Sequence, residues 1–335
     1  MDVCWLAVAA AATGLAALAA LLSAPPAVPA TLRTWPSLGF LYLQIVRSAL
    51  MRKTPPADLK GTPIEVKLTA PARFNARRYA AFLRLVGYKG TPQQVPLAYP
   101  FVESFRLSML AMAHRAFPFN VLGAVLARNE STMARAIQPD EALTYTASID
   151  PTYVRNAKGH TEIRVVCTAA DDGGVEVWRN TLTVIVINHA ARRSAGGAPG
   201  KPAADAAAPP AREALAALSV PGDAGRSYGA LSGDRNPIHL YGLTARLFGF
   251  SRPIAHAMYL VARLEAELTN AGYSVHKWPA SLSTEFKRPT PLPARLTAVV
   301  TPGPGPALAC GVVTAPRGEG GEVKDVIVAT LTGAK

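Results

Sequence analysis

A period of two in the alternation of apolar and polar side chains marks a half-buried strand, and a period of 3.6 marks an amphipathic helix. Ile64 to Leu68 reads Ile-Glu-Val-Lys-Leu and predicts a strand, and Asn75 to Val86 predicts the helix that follows it. Leu143 to Ile149, Thr161 to Thr168 and Val175 to Ile187 then have the β-branched, alternating character of antiparallel strands. The turn signals Asn156-Ala157-Lys158-Gly159 and Asp171-Asp172-Gly173-Gly174 part them. Further along the order repeats: helical patterns at Leu243 to Phe248 and Ile254 to Ala271 precede strands near Ser281 to Phe286, Leu296 to Thr301, Ala307 to Thr314 and Val323 to Leu331. Two helix-then-sheet halves predict an α+β fold made by internal duplication, with an antiparallel sheet wrapping a central helix in each copy.

Between the halves lies Ala190 to Arg212, rich in Ala, Gly and Pro and without a large apolar side chain. Such a stretch cannot bury surface and is expected to be a flexible linker. The chain thus divides into a hydrophobic N-terminal segment (1–56), a first repeat (57–189), the linker (190–212) and a second repeat (213–335). In the N-terminal segment, Val3 to Leu22 is a 20-residue run without a charge. At about 1.5 Å per residue a helix of that length reaches across a hydrocarbon core of about 30 Å, so a membrane-spanning N-terminal helix is expected. Leu38 to Val46 is too short to span and is closed by Arg47, Arg52 and Lys53. It predicts an interfacial amphipathic helix, whose basic end would place the rest of the chain on the cytosolic side of a membrane.

Composition narrows the function. The chain has 335 residues, a formal charge of +13, 50% hydrophobic residues and only 17% charged ones, which excludes an intrinsically disordered protein. Cys4, Cys167 and Cys310 are far apart and give neither a disulfide framework nor a thiolate metal site. No glycine-rich phosphate loop indicates a nucleotide cofactor, and the histidines show no ligand spacing, so no metal is expected. The basic residues are dispersed and come without a nucleic-acid-binding motif. The positive balance instead suits anionic thioesters and membrane lipid.

The most informative stretch is Tyr228 to Tyr259. Gly233, Asp234, Asn236, Pro237 and His239 place a carboxylate, an amide and an imidazole within seven positions, bent by glycine and proline. A loop of this kind aims Asp234 and His239 at one point, and such a pair sharing a water moves protons in both directions, as general acid–base catalysis requires. His256 reads as a packed histidine at a helix start, with a place behind the reacting pair as the alternative.

Here the sequence resembles the MaoC-like, (R)-specific enoyl-CoA hydratase and 3-hydroxyacyl dehydratase family. The resemblance rests on Tyr228, on Ser232-Gly233-Asp234-Arg235-Asn236-Pro237-Ile238-His239, and on His256-Ala257-Met258 in place of a His-Gly-Met-like turn. Ser283 to Thr290 looks like the family's Phe-x-x-Pro strand, and Tyr99 to Asn129 resembles, more loosely, the first repeat of two-repeat members. It implies a double hot-dog fold that interconverts trans-2-enoyl and (3R)-3-hydroxyacyl thioesters. Asp234 and His239 would hold the reacting water, Asn236 would orient them, and the backbone N–H of Ala257 would hold the thioester oxygen. No cofactor is implied beyond the carrier of the thioester, coenzyme A or the phosphopantetheine of an acyl carrier protein, and homo-oligomerisation is left open.

Arg252, Lys287 and Arg288 are candidate phosphate-binding residues for that carrier. Matching the repeats at Tyr79 and Tyr228 sets Leu85 opposite Asp234 and Gly90 opposite His239, so one active site per chain is expected. Ala257 keeps a backbone N–H but resists a positive φ. With the degenerate first repeat, it leaves open a second reading, a non-catalytic acyl-thioester-binding or scaffold protein.

Overall fold

The computed structural model describes Ala20 and residues 24–333, apart from 52, 121–123, 187–211, 276, 302, 304–305 and 317–321. The 20-residue apolar run, Ala20 apart, and almost all of the Ala/Gly/Pro stretch lie outside the described residues. The chain order is β1 (Thr31–Leu32), α1 (Leu38–Leu50), β2 (Ile64–Arg73), α2 (Ala76–Val86), α3 (Tyr99–Ala113), β3 (Val125–Met133), β4 (Ala142–Ile149), β5 (Val154–Arg155), β6 (Thr161–Ala170) and β7 (Glu176–Val186). The second half follows with β8 (Glu213–Val220), α4 (Ala224–Ser232), the 3-10 turn Pro237–His239, α5 (Gly242–Leu247), α6 (Ala257–Asn270), β9 (Ala280–Phe286), β10 (Ala294–Thr301), β11 (Ala307–Thr314) and β12 (Asp325–Thr332).

The two sheets expected from the sequence are one. Its strand order is β1-β2-β4-β6-β7-β3-β9-β12-β11-β10-β8, with β5 paired to β6 off that path. β3 and β9 join the halves antiparallel, from Arg128 opposite Glu285 to Met133 opposite Ala280. About this seam the halves repeat one another, β2-β4-β6-β7-β3 mirroring β8-β10-β11-β12-β9. β4 and β6 bury alternate residues, as strands with one face on a core do. The buried faces close over α3 in the first half, which packs against β2, β4 and β6. In the second half α6 packs against β8 and β11. The shorter helices cross over: α2 packs on α6, α4 packs on α3, and α2 and α4 touch each other.

The membrane expectations are corrected here. Among the described residues no helix is long and apolar enough to cross a membrane, so the placement of the protein on a membrane through an N-terminal span is withdrawn. The second apolar stretch is α1, capped by Ser37, whose Oγ accepts the N–H of Phe40 at 3.2 Å. Leu41, Gln44, Ile45 and Ser48 follow one helical stripe, and that stripe is buried. It packs on α3, so the face predicted to lie in lipid is part of the protein core.

Candidate active site

The site is built around the end of α4. Gly233 stops the helix in the left-handed region at φ 83°, a conformation natural to glycine. Ser232 Oγ donates to the carbonyl of Tyr228 at 2.9 Å and accepts the N–H of Asp234 at 3.1 Å. The Asn236 N–H donates to Asp234 Oδ1 at 3.1 Å, a side-chain turn of the kind aspartate favours. Asn236 Oδ1 accepts from Ile238 at the start of the 3-10 turn, where Pro237 fills the first position. The Asn236 side chain thus caps the turn that carries His239, and its backbone N–H meets the Asp234 carboxylate.

Two glycines let this loop lie on its own helix. A Cβ at Gly225 would stand 1.9 Å from the carbonyl oxygen of His239, and one at Gly229 would stand 2.6 Å from that of Asp234. Both approaches are far inside van der Waals contact, so no other residue fits there.

His239 is buried, with Nδ1 2.8 Å from the carbonyl oxygen of Ile254. A carbonyl only accepts, so Nδ1 carries the proton and Nε2 keeps its lone pair. Ile254 is fixed in turn, because the segment Pro253 to Ala255 pairs with Thr290 to Leu292. Burial holds the His239 imidazole below its usual pKa against the opposing pull of Asp234. At neutral pH it is an uncharged base.

His256 completes the site in a way its sequence position did not reveal. Its Nε2–H donates to the backbone carbonyl of Asp234 at 3.0 Å and lies 3.6 Å from Asp234 Oδ2. Its ring stacks on that of His239 with centroids 3.7 Å apart. Burial, and then the neighbouring His239, push its pKa down to about 3, and its Nδ1 has no hydrogen-bond partner. Asp234, His239 and His256 each bring one nitrogen or oxygen within 4.8 Å of the others, a span that one small polar group, a water or a hydroxyl, can bridge.

Ala257 is the first residue of α6, directly after the His256 cap. Its backbone N–H belongs to the first helical turn, where no intrahelical acceptor exists and the helix dipole favours negative charge. Leu59 is the non-glycine residue with positive φ among the described residues, so Ala257 needs no backbone strain. The objection to alanine at this turn loses its physical basis.

Other residues supporting the loop gave little signal in the sequence. Tyr42, from α1, donates its hydroxyl to the carbonyl of Gly233 at 2.9 Å and accepts the N–H of Arg235 at 2.6 Å. Arg78, from α2, donates Nε to the carbonyl of Leu231 at 2.7 Å and pairs with the buried Glu103 at 2.8 Å. A guanidinium at the C-terminal turn of α4 satisfies a carbonyl that the helix leaves free.

The candidate phosphate ligands are Arg252, Lys287 and Arg288. Arg252 is exposed, Lys287 pairs with Glu285 at 2.7 Å, and Arg288 donates to the carbonyl of Asp325 at 2.7 Å. None shares a hydrogen bond or ion pair with Asp234, His239 or His256.

In the first half α2 ends at Gly87, φ 87°, as α4 ends at Gly233. Aligning these caps sets Tyr88 opposite Asp234 and Gln93 opposite His239, three residues on from the register read through Tyr79 and Tyr228. In both registers the first half lacks the carboxylate and the imidazole.

A family model described as MaoC like domain matches residues 207–302. The chain is 30% identical over 232 residues to 3-hydroxyacyl-thioester dehydratase X of Mycobacterium tuberculosis, spanning 68% of this chain and 76% of that protein. A crystal structure of HtdX from the same organism superposes with a TM-score of 0.63 at 25% identity, over 81% of this chain and 99% of that one. A conserved hypothetical protein of M. tuberculosis with a double hotdog fold superposes at a TM-score of 0.54 and 12% identity, over 82% of this chain and 97% of that one.

Proposed function

The chain belongs to the MaoC-like dehydratase family with a double hot-dog fold, and we propose from that premise that it interconverts trans-2-enoyl and (3R)-3-hydroxyacyl thioesters. The observation that carries the proposal is the convergence of Asp234, a neutral His239 whose Nδ1 is committed to the Ile254 carbonyl, and His256 at the N-terminus of α6, with a polar atom of each within 4.8 Å of the others. In hydration, His239 Nε2 takes a proton from a water as its oxygen bonds to C3. The electron pair of the 2,3 double bond moves towards C1 and the thioester oxygen gathers negative charge. The N–H of Ala257 and the dipole of α6 stabilise that charge where it develops. The proton taken up by His239 passes through Asp234 to C2, so His239 ends neutral and Asp234 ends as it began. Dehydration runs the same steps backwards, with His239 protonating the departing hydroxyl.

The scheme needs no cofactor beyond the carrier of the thioester, coenzyme A or a carrier protein. The test mixes purified full-length chain with crotonyl-CoA and longer trans-2-enoyl-CoAs and follows the conjugated enoyl-thioester absorbance. Loss of the band with wild type but not with Asp234→Asn, and a (3R) product by chiral analysis, is the expected result. Persistence of the band with coenzyme A and carrier-protein thioesters of every length overturns it.

A further inference from the structure

Tyr42 lies 191 positions before Gly233 in the chain, yet its hydroxyl sits between the two peptide groups that flank Asp234. It donates to the Gly233 carbonyl and accepts from the Arg235 N–H. These groups precede and follow the same side chain, so the hydroxyl fixes the rotation of the backbone that aims the carboxylate. A hydrogen bond on one side alone would leave the loop free to pivot about the other.

Tyr42 is itself held. α1 is anchored on α3 by the buried Leu41 and Ile45, and Leu38 lies 3.0 Å from where a Cβ of Gly233 would be. The segment before α1 is stitched down as well: β1 extends the sheet beside β2, and the carbonyl of Pro36 accepts from Arg106 at 3.1 Å. The clasp is thus a rigid element and not a loose tail, and α1 reaches from the first half onto the catalytic loop of the second.

We infer that Tyr42 is a positioning residue for the reaction: it touches no substrate and acts by holding Asp234 at the angle from which it serves C2. The inference rests on the reading of Asp234 as the proton-transferring carboxyl.

The test compares Tyr42→Phe and Tyr42→Leu with wild type in the full chain. In Tyr42→Phe, kcat for enoyl-CoA hydration is expected to fall about tenfold with KM within a factor of two, as a slightly misplaced reacting group produces. Amide exchange in the peptide containing Gly233 to His239, read by mass spectrometry, is expected to quicken, most of all at Arg235. Wild-type kcat or wild-type exchange in Tyr42→Phe overturns the inference. So does a loss in Tyr42→Leu far beyond that of Tyr42→Phe, because the ring and not the hydroxyl would then be responsible. Absence of turnover in wild type defeats the hydratase reading instead, and quickened exchange in Tyr42→Phe still reports whether Tyr42 holds the loop.

Discussion

The imidazole of His256 lies nearly parallel to that of His239, with ring planes 27° and centroids 3.7 Å apart, while its Nε2–H holds the main chain of Asp234. One side chain therefore touches both of the groups proposed to react. It can do so only while neutral, since a protonated His256 would set a cation against His239 just as His239 must accept a proton. His256→Ala is expected to lower kcat by roughly 10- to 100-fold, the range for losing the placement of a reacting group. The check is steady-state kinetics beside a thermal melt; a variant with wild-type kcat contradicts this role.

Removing either of the two groups proposed to transfer protons should be more severe. Asp234→Asn and His239→Ala are each expected to reduce turnover by about 10²- to 10⁴-fold, the usual contribution of a positioned acid or base. Circular dichroism should show both folded. Retention of more than a tenth of wild-type turnover in either variant contradicts the scheme.

The rate should depend on pH in a defined sense. His239 works as a neutral base and burial lowers its pKa from 6.5, so hydration is lost only when pH falls through that lowered value. The profile of kcat/KM should be level from neutral pH down past 6.5 and decline on the acid side of it. A decline centred above 6.5 excludes His239 as the base.

Stability has its own pH signature at His256. Its folded pKa of about 3 lies below the ordinary 6.5, so between these values the unfolded chain binds the extra proton. The contribution of the buried ring is complete above pH 6.5 and is lost progressively as pH falls towards 3. Glu265, fully buried where it accepts from Leu97 at 2.6 Å and Ala98 at 3.0 Å, runs the other way. Burial raises its pKa from 4.5 to about 7, so its protonated form favours folding below pH 4.5 and that stability is lost as pH rises to 7. Denaturant titrations from pH 4 to 8 should show Glu265→Gln without the second decline; an unchanged slope contradicts the assignment.

Two substitutions test the architecture. Gly225→Ala drives a Cβ into the His239 carbonyl and should cost at least ~1–3 kcal/mol, as overpacking does, together with activity. Leu41→Ala removes a fully buried side chain of α1 and should cost roughly 2–5 kcal/mol, as such truncations do. A chain starting at residue 54 lacks α1 altogether and should melt well below the full chain. Equal melting temperatures would mean that α1 does not belong to the core.

How far the sequence discloses this depends on how local each signal is. Strands β2, β4, β6, β7 and β9 to β12 appear where apolar and polar residues alternate, whereas the seam strand β3 is not read from the sequence, and the candidate turn appears because Gly233, Asn236 and Pro237 each have a conformational job inside seven residues. α3 escapes notice because it is buried nearly all round and so has no polar face to mark a 3.6-residue period. β8 is Glu-Ala-Leu-Ala-Ala-Leu-Ser-Val beside an alanine-rich stretch, and its alternation is hidden in small residues. α1 is visible as an amphipathic helix, but an apolar stripe says nothing of whether lipid or protein covers it. Gly225 and Gly229 look like weak points of a helix until the loop they admit is seen. Tyr42 and Arg78 act across the chain, and nothing adjacent to them signals the partner.

The seam between β3 and β9, with α2 and α4 each lying on the other half's central helix, makes the two repeats mutual cofolding surfaces inside one molecule. An assembly of two separate chains unpairs on dilution, because its association depends on concentration. Here the partner is attached, at an effective concentration set by the connecting segment. The half without acid or base is then a permanent companion, and specific activity should stay constant however thinly the protein is spread.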